Sequence, residues 1–157
     1  MYQIYSQIKG KHKQLLHTII RKNDFKTINK RLDVSFDTEP LQLALINQNI
    51  PKKYASHIHI KNKKITNITQ ESWVIISGCV LVKLYDLDNT ELYKTNLYPG
   101  DITITYYGGH GYEILANNTF VAEFKTGPYF GAEKDKKYID SKNNIDYNFI
   151  NFDDINN

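Results

Sequence analysis

Residues 71–107 read ESWVIISGCVLVKLYDLDNTELYKTNLYPGDITITYY, and this stretch decides the fold. Runs rich in apolar and β-branched residues, Glu71–Ser77, Cys79–Leu87, Leu92–Leu97 and Ile102–Tyr107, are separated by Gly78, by Asp88-Asn89 and by Pro99-Gly100-Asp101. Gly and Asn tolerate positive φ and Pro presets its own, so these breaks carry turn chemistry. Short strands at such regular spacing predict an all-β sandwich or small barrel.

The same punctuation extends outward. Downstream, Tyr112–Leu115 and Thr119–Lys125 follow turns at Gly108-Gly109 and Asn117-Asn118. Upstream, Tyr2–Ile8, Leu15–Ile20, Leu41–Ile46 and Tyr54–Ile60 read as strands, and the polar stretch Arg21–Pro40 between them as mostly loop. Gln14–Asn29 holds enough apolar residues for a short helix, but Thr18-Ile19-Ile20 is β-branched and weakens it. Residues 1–140 form one domain that includes the amino-terminal strands. Residues 141–157 form a polar tail, and the whole Asp140–Asn157 stretch, rich in Asn and Asp, reads as a mobile tail or a loosely docked strap. Its Tyr147, Phe149, Ile150 and Phe152 could pack on the barrel or on a neighbouring subunit.

Composition narrows the class. A chain of 157 residues, 41% hydrophobic and 24% charged, can bury a continuous core and is not compositionally disordered. The longest apolar run, Trp73–Ile76, is far too short for a membrane span, and the amino terminus has no apolar signal core, so a cytoplasmic protein is expected. A net charge of +3 without an organising motif gives no support to nucleic-acid binding. The single Cys79 cannot form an internal disulfide and reads as a small buried hydrophobe. Lys52, Lys53, Lys61, Lys63 and Lys64 could draw in an anionic substrate. Their plainer role is a solvated loop.

The chemistry lies in the histidines. In His57-Ile58-His59, two imidazoles one residue apart on a strand point to the same side and can grip one metal ion. Glu71 and His110 follow, each on or beside a β-segment, and His57, His59, Glu71 and His110 make a candidate metal set. Three imidazoles and a carboxylate suit Fe(II), Mn(II), Ni(II), Co(II) or Zn(II). If Glu71 turns away from the metal, it becomes a general base or orients a neighbouring ligand. By strand parity Glu123 and Lys125 share a face and pair. Trp73 and Tyr112 lie two residues beyond Glu71 and His110, so they either line the same cavity or are core aromatics. Tyr129 follows Gly127-Pro128 and is set against the rim, while His12 and His17 are left as surface or core residues.

The elements His57-Ile58-His59, Glu71 with Gly78, Pro99-Gly100-Asp101 and Gly108-Gly109-His110 resemble the two motifs of the cupin superfamily. Gln70-Glu71 and Lys125-Thr126-Gly127-Pro128-Tyr129 are similar to further features of a group of small single-domain cupins. The departures are a long interval from His59 to Glu71, which an enlarged hairpin Lys61–Thr69 would absorb, and Thr105 and Ile114 where the second motif has Pro and Asn. The resemblance, over roughly residues 15–140, implies a double-stranded antiparallel jelly-roll barrel, a divalent metal and a small polar substrate. Its general association with carbohydrate metabolism implies a sugar or nucleotide-sugar isomerase or epimerase, with Glu71 or Glu123 moving a proton and basic residues meeting a phosphate. An Fe(II) dioxygenase and a non-catalytic sensor are the alternatives. Barrels of this kind pair through edge strands, so a homodimer is expected, with Tyr2–Ile8 extending a partner's sheet.

Overall fold

The computed structural model describes residues 1–139, and the expected tail with its aromatic residues lies outside the described residues. Ten strands form antiparallel sheets of five, three and two strands, and helix is almost absent. In chain order they are β1 (Tyr2–Tyr5), β2 (Leu15–Ile20), β3 (Arg31–Asp33), β4 (Ala44–Ile46), β5 (Glu71–Ser77), β6 (Val80–Tyr85), β7 (Glu91–Leu97), β8 (Ile102–Thr105), β9 (Gly109–Ile114) and β10 (Phe120–Lys125). The order in the larger sheet is β1-β2-β8-β5-β10, and in the three-stranded sheet β7-β6-β9. The described strands do not close into a barrel.

The two larger sheets face each other across an apolar core. Ile4, Ile19 and Ile75 from one meet Val80, Val82, Leu84 and Leu97 from the other. The opposite face of the five-stranded sheet is also covered, since Ile20, Ile102, Ile104 and Tyr106 pack against Ile28, Val34 and Leu45. The β3-β4 hairpin and the segment leading into it form that third layer. All six residues of β2 are therefore buried, whatever face they occupy.

Turn chemistry behaves as its residue types dictate. Asn89, Gly100, Gly108 and Asn118 all adopt positive φ. Gly78 (φ +80°) is required twice over, because a Cβ there would lie 2.1 Å from Thr119 Oγ1. Without that glycine β5 could not turn into β6 under the β10 strand.

Several expectations are corrected. Arg21–Pro40 is mostly loop, as expected, but it also holds a 3-10 helix, Lys22–Thr27, and β3. Asp24 closes that helix by accepting the Arg21 N–H at 2.8 Å. The first strand stops at Tyr5, because the Gln7 N–H turns to Asp86 Oδ2 at 2.7 Å. The strand expected over Leu41–Ile46 shortens to Ala44–Ile46, as Leu41 N–H donates to Gln70 Oε1 (2.9 Å) and Leu43 N–H to Ser35 Oγ (2.9 Å). Tyr54–Ile60 forms no strand. Its alternation is intact, but Ile58 and Ile60 are 90% and 86% exposed, so neither face meets the neighbour a strand needs.

Candidate functional site

Strand register gathers polar side chains at one end of the inter-sheet space. Glu71 opens β5, with Thr105 of β8 opposite it on one side and Lys125 of β10 on the other. One step along the same face, Trp73 lies between Thr103 and Glu123. From the facing sheet, β9 contributes His110 and Tyr112, which pair with Leu84 and Val82 of β6.

Glu71 is the centre of this group. It is 4% exposed, and Oε1 accepts the Trp73 indole N–H at 2.8 Å and faces His110 Nε2 at 3.2 Å. Burial raises its pKa, but the bond and charge of His110, the Trp73 bond and the charge of Lys136 outweigh it, leaving the carboxyl below its ordinary value. Glu71 is thus an anion at neutral pH. Oε2 is the oxygen that neither of these donors reaches. On the far side of the imidazole, His110 Nδ1 is buried and has no hydrogen-bond partner among the described residues. An orphaned buried nitrogen costs about 1–3 kcal/mol.

Beneath the pair, the rings of Trp73 and Tyr112 stack at 3.8 Å with 6° between their planes. The Tyr112 hydroxyl pairs with Thr103 Oγ1 at 2.9 Å. Burial drives its pKa well up, with the Thr103 bond opposing and the Glu71 and Glu123 charges adding, so the phenol stays neutral. Along β10, Glu123 Oε1 lies 3.0 Å from Lys125 Nζ, which also sits 4.3 Å from the Tyr129 ring centroid. The Glu123 bond is the main cause of a raised Lys125 pKa.

His17, left by the sequence as a surface or core residue, is completely buried on β2 opposite Thr105. Its Nε2–H donates to the Tyr85 carbonyl at 2.9 Å, so Nδ1 is bare and accepts the Thr105 hydroxyl at 3.0 Å. These bonds fix one tautomer of a neutral ring. Burial lowers its pKa to about 4, helped by the charge of His110 and opposed by the Tyr85 bond and Asp86. Gly108 (φ +76°) makes the fit possible, as a Cβ would lie 2.4 Å from the Tyr85 oxygen and 3.2 Å from His17 Nε2. The available signal was position: a histidine inside the apolar run Leu15–Ile20 has no solvated face.

His57 and His59 are not brought to Glu71 and His110. They lie exposed in the segment between β4 and β5, with ring centroids 5.2 Å apart, and His57 Nδ1 lies 3.1 Å from the Ala55 carbonyl. Among the described residues no group of three or more His, Cys, Asp or Glu side chains is placed to hold a metal ion. The expected ligand set therefore divides into a buried Glu71-His110 pair and an exposed His57-His59 pair. The physical reason is the missing strand over Tyr54–Ile60, without which nothing orients the two imidazoles toward the sheets.

Hollows occur elsewhere. One of about 600 Å³ is lined by Arg21, Thr95, Tyr98 and Asp101. Its charges already satisfy one another: Arg21 Nη1 donates to Asp101 Oδ2 at 2.8 Å, and the Lys22 and Tyr98 N–H groups reach the same carboxylate. That network ties the 3-10 helix to the β7-β8 turn and reads as structural. No protein family, curated protein or solved structure matches this chain. Among the described residues, no helix is long and apolar enough to cross a membrane.

Proposed function

We propose that this protein handles a small polar molecule at the Glu71-His110 end of the sandwich, with Glu71 moving a proton and His110 positioning it. The observation that carries this is a buried, ionised carboxylate bonded to a histidine whose other nitrogen is buried without a partner. In this reading Glu71 is the general base. It takes a proton from a carbon beside a carbonyl or from a hydroxyl and returns it, while His110 holds the carboxylate in place and Lys125 meets negative charge on the ligand. Glu123 fixes Lys125 rather than reacting itself. Isomerisation or epimerisation of a sugar fits this proton economy.

Strand order supports assigning the fold to the cupin jelly roll. The chain runs β5, then β6 and β7 in the opposite sheet, back to β8, across to β9 and back to β10. A jelly roll would cross between its sheets in the same way, and the crossing brings Glu71 of β5 and His110 of β9 together, which supports the assignment. A closed barrel would need further strands along the outer edges of β9 and β10, which the described residues do not supply. A homodimer paired through β1, an edge strand, belongs to the same reading; light scattering at micromolar concentration checks it, a monomer counting against it.

A metal-dependent form is the second reading, favoured by the convergence of Glu71 and His110, which it requires. As placed, the residues do not fit a four-donor site, since His57 and His59 are apart from the pair, and no step is derived through a metal. Elemental analysis of purified protein, of His57→Ala and of His110→Ala separates the cases. Metal lost in both variants supports ligation by both groups, whereas metal content unchanged in both removes this reading.

Deuterium exchange into candidate ketoses, aldoses and nucleotide sugars, followed by NMR, tests the main proposal. Exchange at a carbon next to the carbonyl, abolished in Glu71→Gln, is the expected result. A sugar that binds without exchange would make the protein a sensor, and oxygen uptake with bound substrate would make it a dioxygenase.

A further inference from the structure

The segment between β4 and β5 is chemically one-sided. Residues 47–69 contain five lysines and two histidines and not one Asp or Glu. They also hold out apolar side chains: Ile50 is 73% exposed, Ile58 90%, Ile60 86% and Ile65 79%. This segment, at once basic and apolar with both kinds of group turned to solvent, meets no acidic and apolar partner among the described residues.

The chain carries such a partner. Residues 140–157 contain Asp140, Asp146, Asp153 and Asp154 against one Lys142, together with Ile145, Tyr147, Phe149, Ile150, Phe152 and Ile155. The two stretches start from the same place. Thr69, at the end of the basic segment, donates its hydroxyl to Asp135 Oδ1 at 2.5 Å, four residues before the described chain ends. Ile139 then packs on Gly109 of β9, close enough that a Cβ there would meet its Cδ1 at 2.3 Å. From that anchor, 18 residues reach up to roughly 60 Å when extended, far enough to run along the whole basic segment. Short tethering makes the effective concentration of one stretch beside the other high.

We infer that residues 140–157 dock on residues 47–69 of the same chain, Asp146, Asp153 and Asp154 meeting the lysines and the aromatic residues covering the exposed isoleucines. The docking does not depend on the chemistry assigned to Glu71 and His110. Zero-length carbodiimide cross-linking of the full-length protein, with peptides mapped by mass spectrometry, tests it. Mixing isotopically light and heavy protein distinguishes links within a chain from links between chains. Within-chain links from Asp146, Asp153 or Asp154 to Lys52, Lys53, Lys61, Lys63 or Lys64 are expected. Light-heavy links instead would assign the surface to a second copy, and no link to these lysines would overturn the docking. Trypsin provides the second measurement. Cleavage after Lys61, Lys63 and Lys64 should be roughly tenfold faster in D146K/D153K/D154K than in wild type, because undocked chain is the cleaved form. An unchanged rate would also overturn it.

Discussion

A single buried histidine contributes to this protein's response to acid, beside the lowered carboxyls of Glu71, Asp24 and Asp86. His17 is neutral in the fold, with a pKa near 4 against 6.5 for the free side chain. Between those values the unfolded chain takes up a proton that the folded one refuses, so stability is complete above about pH 6.5 and falls as pH drops toward 4. The full loss is about 3 kcal/mol. Denaturant titrations at several pH values should show that slope in wild type and a flatter one in His17→Gln, whose amide can still accept from Thr105 and donate to Tyr85. A slope of equal size in both proteins would remove His17 as the cause. At Glu71 the direct test is loss of a partner. Glu71→Ala leaves the half-buried Trp73 N–H without its 2.8 Å acceptor and should cost about 1 kcal/mol, whereas Glu71→Gln keeps an acceptor and costs less. Both residues show what a sequence conceals at this scale. That Glu71 heads a strand was legible from the apolar run it opens; the tautomer of His17 and its bond to a carbonyl 68 positions away were not, because only folding creates that neighbour.

At the scale of elements, what could be read from the chain followed from whether an element's reason to form was local. β2 and β5 have the bounds expected from their apolar runs, and the turns at Asn89, Gly100, Gly108 and Asn118 adopt the positive φ their residue types permit. Tyr54–Ile60 has an equally good alternation and forms no strand, since alternation predicts a strand only where another strand and a core exist to receive it. That one failure leaves His57 and His59 apart from Glu71 and His110, with which the sequence grouped them. The β5-β6 turn gives a sharp mutational prediction. Gly78→Ala forces a left-handed φ on alanine and pushes its Cβ into Thr119, whose Oγ1 would be 2.1 Å away. A loss of about 2 kcal/mol or more is expected, seen as a lower urea midpoint at unchanged slope. A midpoint within error of wild type would mean that β5 and β10 part easily.

For the molecule as a whole, the decisive arrangement is that one sheet serves two cores. Ile104 points from β8 into the layer formed with the β3-β4 hairpin, while Leu84 belongs to the core shared with the three-stranded sheet, and both are fully buried. Because β8 lies between β2 and β5, loosening either core disturbs the strand that carries Glu71 and Trp73. The layers should therefore unfold together. Trp73 is the sole tryptophan, stacked at the candidate site, so its fluorescence reports that end of the molecule while far-UV circular dichroism reports all the sheets. Ile104→Ala and Leu84→Ala should each cost about 2–5 kcal/mol, as truncations of buried aliphatic side chains do, and in each the two signals should keep a common midpoint. If Ile104→Ala lowered the dichroism midpoint and left the Trp73 transition in place, the hairpin layer would be an independent unit. The site would then rest on the two-sheet core alone, and its geometry would survive changes that remove the outer layer.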